Sequence, residues 1–172
     1  MAVIFDTTIG GSSANSYVTV ADADDYWATR IYKDTWDAAT NADKQNALMF
    51  ATRLLDIWVD WKGYITKEDQ ALRWPRYDVY TRDGWAIDSD VIPDDIKNAT
   101  SELAGYLLQV DSTGQPDTLG FSRLKVGDLE LEIDKLDRDK YGALPDSVIA
   151  FVEPYGQLRK RGGSKTVDLV RA

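Results

Sequence analysis

The sequence predicts a mainly α protein, a small helical bundle with one β-hairpin and an extended C-terminal arm. Apolar residues recur at spacings of three and four in four separate stretches, as in helices that bury one face. One further stretch, about 121–133, alternates instead around Gly127-Asp128, the period of a strand pair with one wet face. Gly162-Gly163 then precedes a basic terminus, and paired glycines break any regular element. At 172 residues the chain suits one domain with a proper core plus arms, and is short for two full domains. The division expected is a flexible N-terminal arm at 1–14, a domain at 15–158 and a basic docking arm at 159–172.

The arm ends in Gly10-Gly-Ser-Ser13, and the domain starts near Asn15. Thr19 is an N-cap candidate, because its hydroxyl can accept from a first-turn amide, and Asp22, Asp24 and Asp25 complement the helix dipole. Val20, Ala23, Trp27 and Ile31 then predict a helix over about 20–32. Thr40 caps the next, with Asp43 at capping-box spacing. Ala47, Leu48, Ala51, Leu54, Leu55 and Trp58 make one apolar face of a core helix over about 41–62, ending near Gly63.

Residues 64–91 show no helical period and are dense in Tyr, Trp, Asp and Gly. Pro75 removes an amide donor and favours an extended Trp74, so an ordered loop around Leu72, Trp74 and Tyr77 is expected, with a turn at Asp83-Gly84. Pro93 fits a helix's first turn, where its missing N–H costs nothing. Ile96, Ala99, Leu103, Ala104, Leu107 and Leu108 form the stripe of that helix, about 93–110. A linker by composition follows over 111–120. In the hairpin, Leu129, Leu131 and Ile133 share one face, and Glu130 and Glu132 the other. Leu144-Pro145-Asp146 opens a last helix, about 145–157, with Val148, Val152 and Tyr155 at helical spacing.

The hydrophobic share of 44% is that of a globular protein, and no apolar run approaches the roughly 18 residues of a membrane span. The start, Met1-Ala-Val-Ile-Phe-Asp6, has neither the basic residues nor the apolar stretch of an export signal. With no cysteine and no histidine, disulfides, thiolate metal sites, the thiol nucleophile and the commonest general base are all excluded. A non-enzymatic role without cofactor or metal is expected; a carboxylate-only enzyme such as a glycosidase is the residual catalytic class.

The net charge is −9, and it is unevenly spread. Arg159, Lys160, Arg161, Lys165 and Arg171 against Asp168 make residues 159–172 +4, and removing that from −9 leaves −13 on residues 1–158. An acidic body opposes phosphate binding by the whole surface.

Each candidate motif has a plainer reading. The acids at Asp22, Asp24 and Asp25, and at Asp134, Asp137 and Asp139, lack the spacing of a calcium loop. Six tryptophans and nine tyrosines could stack single-stranded bases, but that needs a cationic groove; Trp27, Trp36 and Trp74 read better as core or subunit-interface residues. Arg73 and Arg76 flank Trp74-Pro75 and read first as loop anchors. In the tail, Lys165-Thr-Val-Asp-Leu-Val-Arg171 alternates enough to become a strand, and its Val167, Leu169 and Val170 side chains want pockets, which suits strand addition to a partner's sheet edge.

Taken in order, Asn15-Ser-Tyr-Val18, Ala51-Thr-Arg-Leu-Leu-Asp56, Gln70-Ala-Leu-Arg-Trp-Pro-Arg76, Ile92-Pro-Asp-Asp-Ile-Lys-Asn-Ala99 and Glu102-Leu-Ala104 resemble the head-to-tail adaptor (connector) proteins of tailed bacteriophages. Many of these also carry the description of DnaT-like single-stranded-DNA-binding proteins. The adaptor resemblance implies a virion structural protein at the head-tail interface, assembled in the bacterial host cytoplasm. It implies a ring, about a dodecamer, that extends the DNA channel beneath the portal. Its partners would be neighbouring copies, the portal protein and a tail, stopper or tail-terminator protein, with packaged duplex DNA passing through and no membrane contact. On that reading Trp74, Arg76, Arg159, Lys160, Arg161, Lys165, Val167, Leu169 and Arg171 are the partner-binding candidates, and Glu130 and Glu132 face the channel. The competing class is a DnaT-like replication protein that binds single-stranded DNA.

Overall fold

Two threonines start the first long helices. The Thr19 hydroxyl accepts from the Asp22 amide at 3.1 Å and the Thr40 hydroxyl from the Asp43 amide at 3.2 Å, each satisfying a first-turn donor that the helix leaves unpaired. The structure, a computed structural model, describes residues 3–109, 123–126, 129–132 and 144–159. Its helices are α1 (Val20–Ala28), α2 (Asp34–Ala38), α3 (Asn41–Trp58), α4 (Asp94–Leu107) and α5 (Asp146–Val152). Short strands complete it: β1 (Val59–Trp61), β2 (Tyr64–Ile65), β3 (Arg76–Tyr77), β4 (Arg123–Val126), β5 (Leu129–Glu132) and β6 (Gly156–Leu158). The domain is mainly helical, with small antiparallel sheets. No helix among the described residues is long and apolar enough to cross a membrane.

α3 packs on α4, α4 on α5, and α1 against both α3 and α4. The shared core takes Leu48, Ala51, Leu54 and Leu55 from α3, Ile96, Ala99, Leu103 and Ala104 from α4, and Val148 and Val152 from α5. At roughly 1.5–3 kcal/mol for each large apolar side chain removed from water, this layer dominates the stability of the bundle.

Several elements are shorter than their apolar patterns imply. α1 stops at Ala28, not near residue 32, because the Thr29 hydroxyl donates to the Tyr26 carbonyl at 2.8 Å and the Thr29 and Arg30 amides close the last turn. Ile31 is consequently exposed, off the stripe it was expected to join. α3 ends at Trp58, where Val59 turns extended and enters β1; Trp58 is only partly buried against the core, not the deep residue its spacing implies. α5 ends at Val152, and Gly156–Leu158 forms a strand opposite Val59–Trp61 in place of further helix.

The five-residue α2, too short to carry a period, was not expected. It delivers Trp36, whose ring stacks on Trp27 with centroids 5.8 Å apart and planes 17° apart. Both indole N–H groups are satisfied: Trp27 donates to the Ser101 carbonyl at 3.1 Å, and Trp36 to Asp24 at 2.8 Å.

The start of the chain is not a free arm over the described residues. Asn15 accepts from the Asp6 amide at 2.9 Å and donates to the Ile4 carbonyl at 2.7 Å. The Gly11 carbonyl accepts from the Ala71 amide at 3.1 Å, and Phe5 packs against the core. β4 and β5 pair antiparallel with Val126 opposite Leu129 and Arg123 opposite Glu132, as the alternation predicts; residues 121, 122, 127, 128 and 133 of the expected hairpin lie outside the described residues.

Candidate nucleic-acid interface

Between α3 and α4 the chain runs for 35 residues without a helix, and its order comes from three polar anchors, the buried Gln70 and Arg76 and the partly buried Asp56. Gln70 saturates its amide: Oε1 accepts from the Thr66 and Lys67 amides, and Nε2 donates to the Leu72 and Pro75 carbonyls at 2.7 and 3.1 Å. Arg76 spends its guanidinium on carbonyls, donating to Lys62 at 2.6 Å, Gly63 at 2.5 Å and Arg73 at 3.1 Å. Asp56 accepts from the Tyr17 hydroxyl, from Trp61 Nε1 at 3.1 Å and from the Arg73 amide at 3.1 Å. Gly63, at φ +65°, makes the turn from β1 to β2 where any Cβ would strike the Tyr77 and Asp78 carbonyls and Val79.

These anchors hold two small ribbons. In the first, β2 pairs with β3, and Tyr64 opposite Tyr77 brings two phenol rings to 5.4 Å at a 30° tilt. In the second, Tyr80 bridges Ala86 and the Ile87 amide donates to the Val79 carbonyl at 2.9 Å. Its turn is closed by the Gly84 amide on the Thr81 carbonyl and by the Trp85 amide on the Thr81 hydroxyl at 3.1 Å. Asp83-Gly84 is thus the tip of a hairpin, as its composition implies.

The outward faces of both ribbons are aromatic. Tyr64 is 61% exposed, Tyr77 48%, and Trp85 75%, with Tyr80 also in water. Trp27, Trp36 and Trp74 are buried and Trp58 and Trp61 partly so, leaving Trp85 as the one tryptophan of six that presents its ring to solvent. Local charge differs from the body as well. Residues 62–85 hold Lys62, Lys67, Arg73, Arg76 and Arg82 against Glu68, Asp69, Asp78 and Asp83, a net +1; removing it from −13 leaves −14 on the rest of residues 1–158.

The expected partner-binding residues fall elsewhere. Trp74 is 1% exposed, edge-on to Trp61 and Tyr155 at 5.8 and 6.0 Å, and so cannot be a subunit contact. Its Nε1 has no hydrogen-bond partner among the described residues. Arg76 is equally withdrawn, an anchor of the loop. Arg159 pairs with Asp60 at 2.6 Å, and its amide donates to the Trp58 carbonyl at 2.8 Å, so it belongs to the edge of the domain. Lys160, Arg161, Lys165, Val167, Leu169 and Arg171 lie outside the described residues. Glu130 and Glu132 lie on β5, and their side chains lie outside the description. The exposed set of Tyr64, Tyr77, Tyr80 and Trp85 was missed; its one signal was the density of Tyr and Trp around Asp83-Gly84.

Outward aromatic rings are one of the two features with which single-strand binders hold bases, the other being a cationic path for the backbone; the ribbons show the rings, with a local charge near neutral. A family model described as "Putative DnaT-like ssDNA binding protein" matches residues 1–172, and the chain belongs to that family. No curated protein and no solved structure matches it.

This match overturns the adaptor assignment. It points to single-stranded DNA in place of a portal protein, a ring of neighbouring copies and a tail or stopper protein, and gives no support to a virion connector. The physical reason is visible in the motifs that carried the resemblance. Tyr17, Leu54, Leu55, Asp56, Gln70 and Arg76 are buried or engaged in holding the fold. Such residues report an architecture, whereas function resides in the surface it presents. The whole-chain charge misled too, since what matters to a single strand is the charge along its path.

Proposed function

We propose that this protein binds single-stranded DNA without catalysis, stacking bases on Tyr64, Tyr77, Tyr80 and Trp85. Lys160, Arg161, Lys165 and Arg171, which follow the domain, neutralise phosphates. The observation that carries this reading is the outward Tyr64–Tyr77 pair together with the solvent-facing Trp85, in a family described as single-stranded-DNA-binding. Every base has a π face, so stacking tolerates any sequence, and each stacked base contributes about 1–3 kcal/mol. The −14 remainder of the body repels other phosphates, which confines the strand to the ribbons and the arm.

The test is titration of the full chain with a dT oligonucleotide, read by tryptophan fluorescence and by anisotropy. Trp85 should be quenched, and Trp85→Ala or Tyr64→Ala should weaken binding by about 1–3 kcal/mol with an unchanged melting temperature. Truncation after Arg159 removes Lys160, Arg161, Lys165 and Arg171 and should lower the salt slope by up to about 3, at roughly 0.7 per phosphate contact. Absence of binding by the unaltered chain, or wild-type affinity in both aromatic variants, overturns the reading.

A further inference from the structure

Beside the aromatic ribbons, between α3 and residues 70–73, lies a cleft of about 390 Å³. Two arginines are among the residues that line it, Arg53 from α3 and Arg73 from the loop, and both are exposed. The other ion pairs of the described residues join Arg30 to Glu102, Lys33 to Asp37, Lys44 to Asp24, Lys97 to Asp94 and Arg159 to Asp60. Neither Arg53 nor Arg73 ion-pairs, or hydrogen-bonds through its guanidinium, with a described residue.

The neutral polar groups of the same wall are already used. Both ends of the Gln70 amide and both ends of the Asn15 amide hold backbone. Asp56, the carboxylate in the cleft, attracts Arg73, but its oxygens accept from Tyr17, Trp61 and the Arg73 amide. The unspent hydrogen-bonding capacity is therefore that of two cations, whose planar forks match the oxygens of a phosphate. Leu72, Ile57 and Ile65 supply apolar wall suited to a sugar or a base without reading its edge.

We propose that this cleft is a phosphate subsite of the DNA-binding surface, in which Arg53 and Arg73 grip one nucleotide's phosphate without regard to base. The proposal rests on single-stranded DNA being the ligand. It accounts for how an acidic protein holds a strand in register: the rings supply sequence-tolerant stacking, and one pair of guanidinium groups fixes the backbone.

The experiment compares the full chain with Arg53→Ala/Arg73→Ala and Arg53→Lys/Arg73→Lys on dT, dA and dC oligonucleotides, with and without a 5′ phosphate. The Asp56 anchor uses the Arg73 backbone amide, so the substitutions leave it in place, and thermal melting checks that the variants fold. The alanine pair should bind about tenfold more weakly in 0.1 M salt, with a salt slope lower by about 0.7, the share of one phosphate contact. The loss should be equal for the three bases, Trp85 quenching at saturation should be retained, and the lysine pair should keep most of the slope. A loss confined to 5′-phosphorylated strands assigns the grip to a terminal phosphate, and an equal loss on both kinds to an internal phosphodiester; either supports the subsite. An alanine pair with wild-type affinity and slope, while Trp85→Ala weakens binding, overturns the subsite and leaves the function standing. A base-dependent loss, or one without a change in slope, also overturns it. No binding by the unaltered chain overturns both.

Discussion

Tyr17 and Asp56, 39 residues apart, are joined by a hydrogen bond from the phenol hydroxyl to the carboxylate, which ties the entry to α1 onto the end of α3. The Arg73 amide and Trp61 Nε1 converge on the same carboxylate, so one side chain fastens three segments. Removing an acceptor from buried donors costs about 1–3 kcal/mol. Asp56→Ala is expected to lower stability by about 2–4 kcal/mol and Tyr17→Phe by about 1–2 kcal/mol, measured by urea unfolding. Equal, near-zero effects would show that the fastening is dispensable.

Burial raises the Asp56 pKa above the usual carboxylate value of 3.8, outweighing the hydrogen bonds from Tyr17, Arg73 and Trp61 that lower it. A raised folded-state pKa means that the native state holds the proton more tightly than the unfolded chain. Asp56 therefore contributes most below pH 3.8, and that contribution is lost as pH rises through its folded value. Urea unfolding across this window should show Asp56→Asn with a flatter dependence than the unaltered protein.

Trp36 is fully buried against Trp27, and Trp36→Ala should destabilise by about 3–5 kcal/mol. Trp58→Ala, at a half-buried position, should cost less. Chemical denaturation of both orders them, and the reverse order would misplace the core.

Gly105, inside α4, faces the Trp27 indole. An added Cβ would lie 2.7 Å from Cη2 and 2.9 Å from Cε2 of that ring, and closer still to Cζ2. Glycine to alanine normally helps a helix by about 1 kcal/mol, but here overpacking by about 1–3 kcal/mol should win. The melting temperature of Gly105→Ala is expected to fall.

Tyr155 donates to Asp95 at 2.8 Å, and burial together with that carboxylate pushes its pKa up to about 12 from 10.0. The stabilisation is complete below pH 10 and is lost as pH rises through about 12. Tyr17 and Tyr26 are pushed up as well, by burial and by the Asp56 and Glu102 carboxylates, so absorbance titration should show several late phenols, of which Tyr155→Phe removes one.

What could be read in advance follows physical range. The stripes of α3 and α4 and the Thr19 and Thr40 caps depend on neighbours three or four residues away, so the sequence displays them directly. α2, β1 and β6 are shorter than the periods that would reveal them. The burial of Trp74 depends on Tyr155 and on the Asp56 anchor of Arg73 arriving from distant parts of the chain, and no local pattern separates it from the exposed Trp85, 11 residues later in the same aromatic segment. Arg76 was read as a loop anchor on plain grounds and is one. Its assignment to a partner came with the family resemblance, which carries architecture further than it carries contacts.

The pairing of β1 with β6 has a kinetic side. Asp60 and Arg159, the ion pair at that seam, are 99 residues apart, and closing a loop of that length costs about 4 kcal/mol in chain entropy. A three-residue strand pair cannot offset this alone, so α3, α4 and α5 must dock before the seam zips. The same order run backwards makes the seam the first part to open, close to the β1–β2 turn that carries Tyr64. Val59 is itself a core residue and Trp61 packs on the core, so opening of the seam loosens the edge of the core and the base of the aromatic ribbon together.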